Sequence, residues 1–135
     1  MGSLSNYAEL KMLDHSVGEA AWAIPTTHLA LCTADPTDAG TGAACNEVAD
    51  ANNYSRVALA GKWSPAAAGA ITNDVAIAFA EASGAWGEIT HWAIIDNAAH
   101  GAGNMIWHGA LTASKTIGDG DTVQIAIGDL DLTSD

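Results

Sequence analysis

Apolar residues follow a helical spacing only near the start of the chain. Asn6-Tyr7-Ala8-Glu9 has the form of a capping box, in which an N-terminal side chain and an acid three residues on bond each other's backbone N–H groups. Leu10, Leu13 and Val17 then recur at helical spacing, and Gly18 stands where a helix ends. The pattern predicts one helix over residues 6–17. Its apolar stripe must be covered, either by the rest of the domain or by a neighbouring subunit.

After Pro25 the period changes. Residues 28–33 form a short apolar run closed by the turn formers Asp35-Pro36-Thr37-Asp38 and Gly40-Thr41-Gly42. Further runs lie at residues 54–59, 75–79, 89–95, 105–111, 123–127 and 130–132, each bounded by Gly, Asn, Asp, Ser or Pro. Val75, Ile77 and Phe79 alternate with alanines, and Val123, Ile125 and Ile127 alternate around Gln124 and Ala126. Small residues on the second face suggest a close neighbour there. Residues 96–104 join two apolar runs as a hairpin loop would. The expected fold is mainly β: an antiparallel β-sandwich, jelly-roll-like, of about seven to eight strands with a short N-terminal helix. Residues 1–135 read as a single domain, with the β body over residues 26–135, and no internal repeat or heptad seam is visible.

Composition agrees with a folded core. Hydrophobic residues make up 49% of the 135 and charged residues only 15%, and a chain of this length buries roughly two-thirds of its unfolded surface. No apolar stretch approaches the roughly 20 residues of a membrane span, and residues 1–13 lack a signal-peptide core, so a soluble protein with neither membrane partner nor cleaved leader is expected. Sixteen acidic against four basic side chains give a net charge of -12. Phosphate backbones are bound chiefly through Lys and Arg, so nucleic acid is not an expected partner. Cys32 and Cys45 read as free thiols, Cys32 in a buried strand, although a bridge across their loop is conceivable.

Candidate chemistry is sparse. Asp129-Leu130-Asp131-Leu132-Thr133 has the outline of a phosphotransferase motif, but only Ser134 and Asp135 follow it in this sequence. Leu130 and Leu132 pointing inward from a strand account for the same residues. Asp119-Gly120-Asp121 lacks the further ligands of a calcium loop and reads as a tight turn. His15, His28, His91, His100 and His108 include no helical zinc pair, and Cys32 and Cys45 lack zinc-site spacing. His91 and His108 are expected to face each other on paired strands as a polar pair. No nucleophile elbow, phosphate-binding loop or metalloprotease motif occurs, so neither an enzyme nor a cofactor is expected.

The five tryptophans stand beside a single Phe79. Trp92 and Trp107 lie inside predicted strands and read as core. Trp63 and Trp86 lie in loop-like segments, where an exposed indole serves contact and a covered one anchors the loop; both roles stay open.

The opening Leu4-Ser5-Asn6-Tyr7-Ala8-Glu9-Leu10-Lys11-Met12-Leu13-Asp14-His15 and the loop Thr33-Ala34-Asp35-Pro36-Thr37-Asp38 resemble a family of short tailed-phage and prophage virion proteins, often labelled tail-fibre-like. Gly84-Ala85-Trp86-Gly87-Glu88-Ile89-Thr90-His91-Trp92 and Gly109-Ala110-Leu111-Thr112-Ala113-Ser114-Lys115-Thr116 carry the same resemblance, which spans nearly the whole chain. It implies a virion component with a β-sandwich body and no enzymatic residues. Residues 43–50, with Cys45, depart from the family's pattern.

A fibre that reaches a receptor is long and built of repeats or coiled coil, whereas this chain has no fibrous segment. The first expectation is therefore a capsid decoration, or cement, protein on the outer surface of the virion. Its partners would be the major capsid protein and copies of itself, clustered as trimers. Leu10, Leu13, Val17, Trp63 and Trp86 are the expected interface residues. Alternatives are a tail-associated or fibre-base module, and a carbohydrate-binding module with Trp63 and Trp86 as a sugar platform.

Overall fold

The computed structural model describes residues 2–23 and 25–134. Along them run β1 (Gly2–Leu4), α1 (Asn6–Ser16), β2 (His28–Cys32), β3 (Val57–Ala58), β4 (Ala70–Thr72), β5 (Ile77–Ala78), β6 (Gly87–Ile95), β7 (Met105–Ile117), β8 (Gln124–Ile125) and β9 (Asp131–Thr133). A seven-stranded curled sheet has the order β3-β2-β6-β7-β1-β9-β4, and β5 and β8 form a separate ribbon. The protein is mainly β and sandwich-like. Its strands divide into this sheet of seven and the ribbon of two. One pair is parallel, with Gly2 of β1 beside Leu132 of β9, so the sheet is not wholly antiparallel.

The β6–β7 hairpin forms the spine. Residues 96–104 close it, with Asp96 Oδ1 accepting from the Asn104 N–H at 2.6 Å and Gly103 at φ +89°, a left-handed conformation that favours glycine. Pairing runs from Ile95 with Met105 to Gly87 with Ile117, well beyond the apolar run at residues 105–111. Between the pairs His91–Ala110 and Ile89–Lys115 the register shifts, so Thr90 alone stands against residues 111–114 of β7.

The strand β2 is buried on both faces, which explains its unbroken apolar run. Leu29 and Leu31 join Trp92, Ile94, Ile77, Phe79 and Trp86 in the main core. Ala30 and Cys32 face a smaller cluster with Ala93, Ile95, Met105 and Cys45. Both cysteines are free, and Cys32 is buried in its strand as expected; Cys45 is buried as well. The Cys45 sulfur and burial push the Cys32 thiol far above its ordinary value.

The alternating runs fade at one end of the ribbon. Ile77 pairs with Ile125, and Phe79 donates its N–H to the Val123 carbonyl, so Ile77, Phe79 and Val123 are buried. Val75 and Ile127 lie beyond the paired residues and are exposed. Ala78 and Ala126 on the second face also meet solvent in this chain. Leu130 and Leu132 point inward as expected, and residues 118–121 form a turn in which Asp121 Oδ2 accepts the Gly118 N–H at 2.8 Å.

Candidate functional site

The helix α1 is attached at its beginning and bare along its length. Ser5, not Asn6, is the N-cap: its hydroxyl accepts the Ala8 N–H at 3.2 Å and donates to the Met105 carbonyl on β7. The cap therefore lies one residue before the expected box, because Ser5 alone can serve the helix and the sheet together. Backbone bonds from Ser5 N–H to the Ile106 carbonyl (2.9 Å) and from Asn6 N–H to the Asp38 carbonyl (2.8 Å) complete the anchor. Ala8 is the buried residue of the helix, and Val17 is its C-cap, so α1 ends one residue before the expected limit.

Leu10, Leu13 and Val17 share the stripe that the sequence predicted and are 65%, 64% and 80% exposed. Met12, on another face of the helix, is also exposed. No described residue of this chain covers the stripe. Near the helix ends, Tyr7 meets Trp22 edge-to-face at 6.4 Å and the Trp22 N–H donates to His15 Nδ1 at 3.1 Å, which steadies the return from helix to sheet.

The two loop tryptophans part company. Trp86 is only 6% exposed, packs edge-to-face on Tyr54 at 5.3 Å, and donates its indole N–H to the Asn52 carbonyl at 2.8 Å. It is a core anchor, and the expected interface role falls, because its large apolar ring is buried and its one donor satisfied internally. Trp63 is half-buried against the same core. A sugar platform shared by both indoles is therefore not present.

Sequence reading missed the ion pair that organises the loops at one end of the sheet. Arg56, with its side chain fully buried, donates from Nε to Glu47 Oε1 (2.8 Å) and from Nη2 to Glu47 Oε2 (2.7 Å). Its remaining donors reach the carbonyls of Asn97 (2.9 Å), Ala102 (2.8 Å) and Gly42 (3.0 Å), tying two loops together. Burial opposes the guanidinium charge, but hydrogen bonds and attraction from Glu47 outweigh it and hold its pKa above the ordinary value. Tyr54 donates to Glu47 at 2.8 Å and accepts the Leu31 N–H at 3.0 Å; burial, then the Glu47 carboxylate, push its phenol well above the usual tyrosine range. The available signal was the rarity of basic residues, four in the chain, with Arg56 two residues after Tyr54.

The expected histidine pair is offset. His91 stands opposite Ala110 and His108 opposite Ala93, diagonal neighbours on the sheet. His91 Nδ1 bonds Thr90 Oγ1, and His108 Nε2 bonds Asp38 Oδ1, both at 2.8 Å. Among the described residues no group of three or more His, Cys, Asp or Glu side chains is placed to hold a metal ion. No helix among them is long and apolar enough to cross a membrane.

The fold and the bare helix face define a β-sandwich-like module with an apolar face left uncovered among the described residues. The chain belongs to the family described as podophage GP4 fiber I protein gp80, whose model it matches over residues 3–133. No curated protein matches it.

Proposed function

We propose that this protein is a subunit of the tail-fibre apparatus of a podophage, attached to a neighbouring subunit through the exposed face of α1. The observation that carries the reading is the match to a fibre protein family over residues 3–133. It favours the tail-associated alternative over the cement role expected first. The face of Leu10, Leu13 and Val17 supplies the apolar surface that subunit contact needs, since association is driven mainly by burying such area. An averaged map of the particle tests it: this fold is expected at the tail, in few copies.

A second reading keeps the outer shell as the address. A net charge of -12 and a body without repeats or coiled coil favour a decoration protein that binds the major capsid protein and copies of itself. Densitometry of purified particles separates the two. A copy number near that of the major capsid protein, with density on the shell, overturns the fibre reading.

A further inference from the structure

The two thiols of this chain lie together, withdrawn from solvent. Cys32, the last residue of β2, and Cys45 share the small buried cluster with Ala30, Ala93, Ile95 and Met105. The backbone brings them there. Cys32 stands opposite Glu47 in an isolated antiparallel bridge, held by the Thr33 N–H to the Asn46 carbonyl (2.9 Å) and the Val48 N–H to the Leu31 carbonyl (3.0 Å). Asn46, at a left-handed φ of +56° that asparagine tolerates, turns the chain between Glu47 and Cys45. The strongest influence on each thiol is a side-chain hydrogen bond with the other. A buried free cysteine packs as a small hydrophobe, so packing accounts for either residue alone; two sulfurs in contact add a chemistry that packing does not need.

The segment between them seats α1. The Asp38 carbonyl accepts the Asn6 N–H at 2.8 Å, and Asp38 Oδ1 bonds His108 Nε2 on β7 at 2.8 Å. Farther along, the Gly42 N–H reaches the Gly103 carbonyl at 3.0 Å. Residues 33–44 contain none of the strands β1 to β9, so a covalent link between the two ends of this loop would fix the mount of the helix.

We infer that Cys32 and Cys45 form a dithiol that oxidises to a disulfide within the folded protein and locks the loop that seats α1. The oxidant is a small soluble disulfide of the glutathione class. Cys45 reacts first, because the hydrogen bond from Cys32 holds its thiol below the ordinary value, while Cys32 keeps its proton. Thr41, Ala43 and Ala44 beside it are exposed, so opening this short turn admits the oxidant. The Cys45 thiolate attacks one sulfur of the oxidant, whose S–S bond breaks and releases one glutathione as thiolate. The Cys32 sulfur then attacks Cys45 Sγ, and its proton goes to the second departing glutathione. Two cysteine thiols are oxidised, and one external disulfide is reduced to two thiols. The chemistry belongs to this chain alone and holds wherever the protein sits in the particle, so its test is independent of the fibre reading.

The experiment incubates the folded full chain with oxidised glutathione and follows intact mass, thermal unfolding and amide exchange. The wild type is expected to lose two hydrogens, retain no glutathione, and melt about 5–10 °C higher, with dithiothreitol reversing both changes. Exchange of the Asn6 amide, whose acceptor lies in the loop, is expected to slow by about tenfold. Cys32→Ala should stop at one glutathione attached to Cys45, and Cys45→Ala should react more slowly. A wild type that stays reduced, keeps glutathione, or bridges only after unfolding in urea would overturn the inference. A lower melting temperature or unchanged exchange at Asn6 after bridging would overturn the lock, and faster addition to C45A than to C32A would overturn the order of attack.

Discussion

Arg56 and Glu47 meet through two parallel hydrogen bonds of 2.8 and 2.7 Å, with both side chains withdrawn from solvent. A bidentate pair of this kind fixes orientation as well as distance. It locks two loops that the sheet alone would leave to wander, since Arg56 also bonds Gly42, Asn97 and Ala102.

Removing one partner is expected to be worse than removing both. Arg56→Met leaves the Glu47 carboxylate buried without its cation and should cost about 3–5 kcal/mol. The double variant Arg56→Met, Glu47→Leu should cost less than the sum of the single changes. Urea unfolding of the four proteins measures the coupling, and simple additivity would contradict the arrangement.

The raised phenol of Tyr54 sets a stability change at alkaline pH. In the unfolded chain a tyrosine loses its proton near pH 10, whereas folded Tyr54 holds it, so the folded state binds more protons above that pH. The stability that Tyr54 contributes is fully present below about pH 10 and is lost progressively as pH rises beyond it. Denaturant midpoints measured from pH 8 to 11 should fall at the alkaline end, and Tyr54→Phe should remove that component. At neutral pH the same variant should lose about 1–3 kcal/mol, because the Leu31 N–H is left without its acceptor.

Gly42 is a position where only glycine fits. A Cβ there would stand 2.0 Å from the Ala102 carbonyl oxygen, a backbone atom that cannot swing aside. Gly42→Ala is expected to destabilise the protein by more than about 1 kcal/mol. Hydrogen exchange at residues 97–104 should accelerate more than exchange at β2, since the strain falls between the loops.

The stripe on α1 should be dispensable for folding. Leu10→Ser, Leu13→Ser and Val17→Ser replace exposed side chains and are each expected to shift stability by no more than about 0.5 kcal/mol. Incorporation of the triple variant into particles, followed by densitometry, should fall sharply if this face joins subunits. Undiminished incorporation would remove α1 from the interface.

The two loop tryptophans should separate in the opposite sense. Trp86→Ala empties a core site shared with Tyr54 and Phe79 and is expected to cost about 3–5 kcal/mol. Trp63→Ala, at a half-buried position, should cost less. Thermal unfolding of the two variants compares them directly.

Local pattern determined a good part of this protein. The spacing of Leu10, Leu13 and Val17 identified the helix and its stripe, and the apolar runs at residues 28–33, 89–95 and 105–111 located the spine of the sheet. These signals are short-range, because a repeat of 3.6 or 2 residues records which residues share one face of an element. The strands β1 and β4 left no such signal. Gly2–Leu4 and Ala70–Thr72 are three residues each, too short to show a period, and they exist because β7 and β9 offer them ladders. Only the tertiary structure decided that Trp86 is core and that His91 and His108 are offset by two rungs. It alone joined Arg56 to Glu47. Each of these depends on register between segments distant in the chain, and a one-residue slip, invisible in either segment alone, would change all of them.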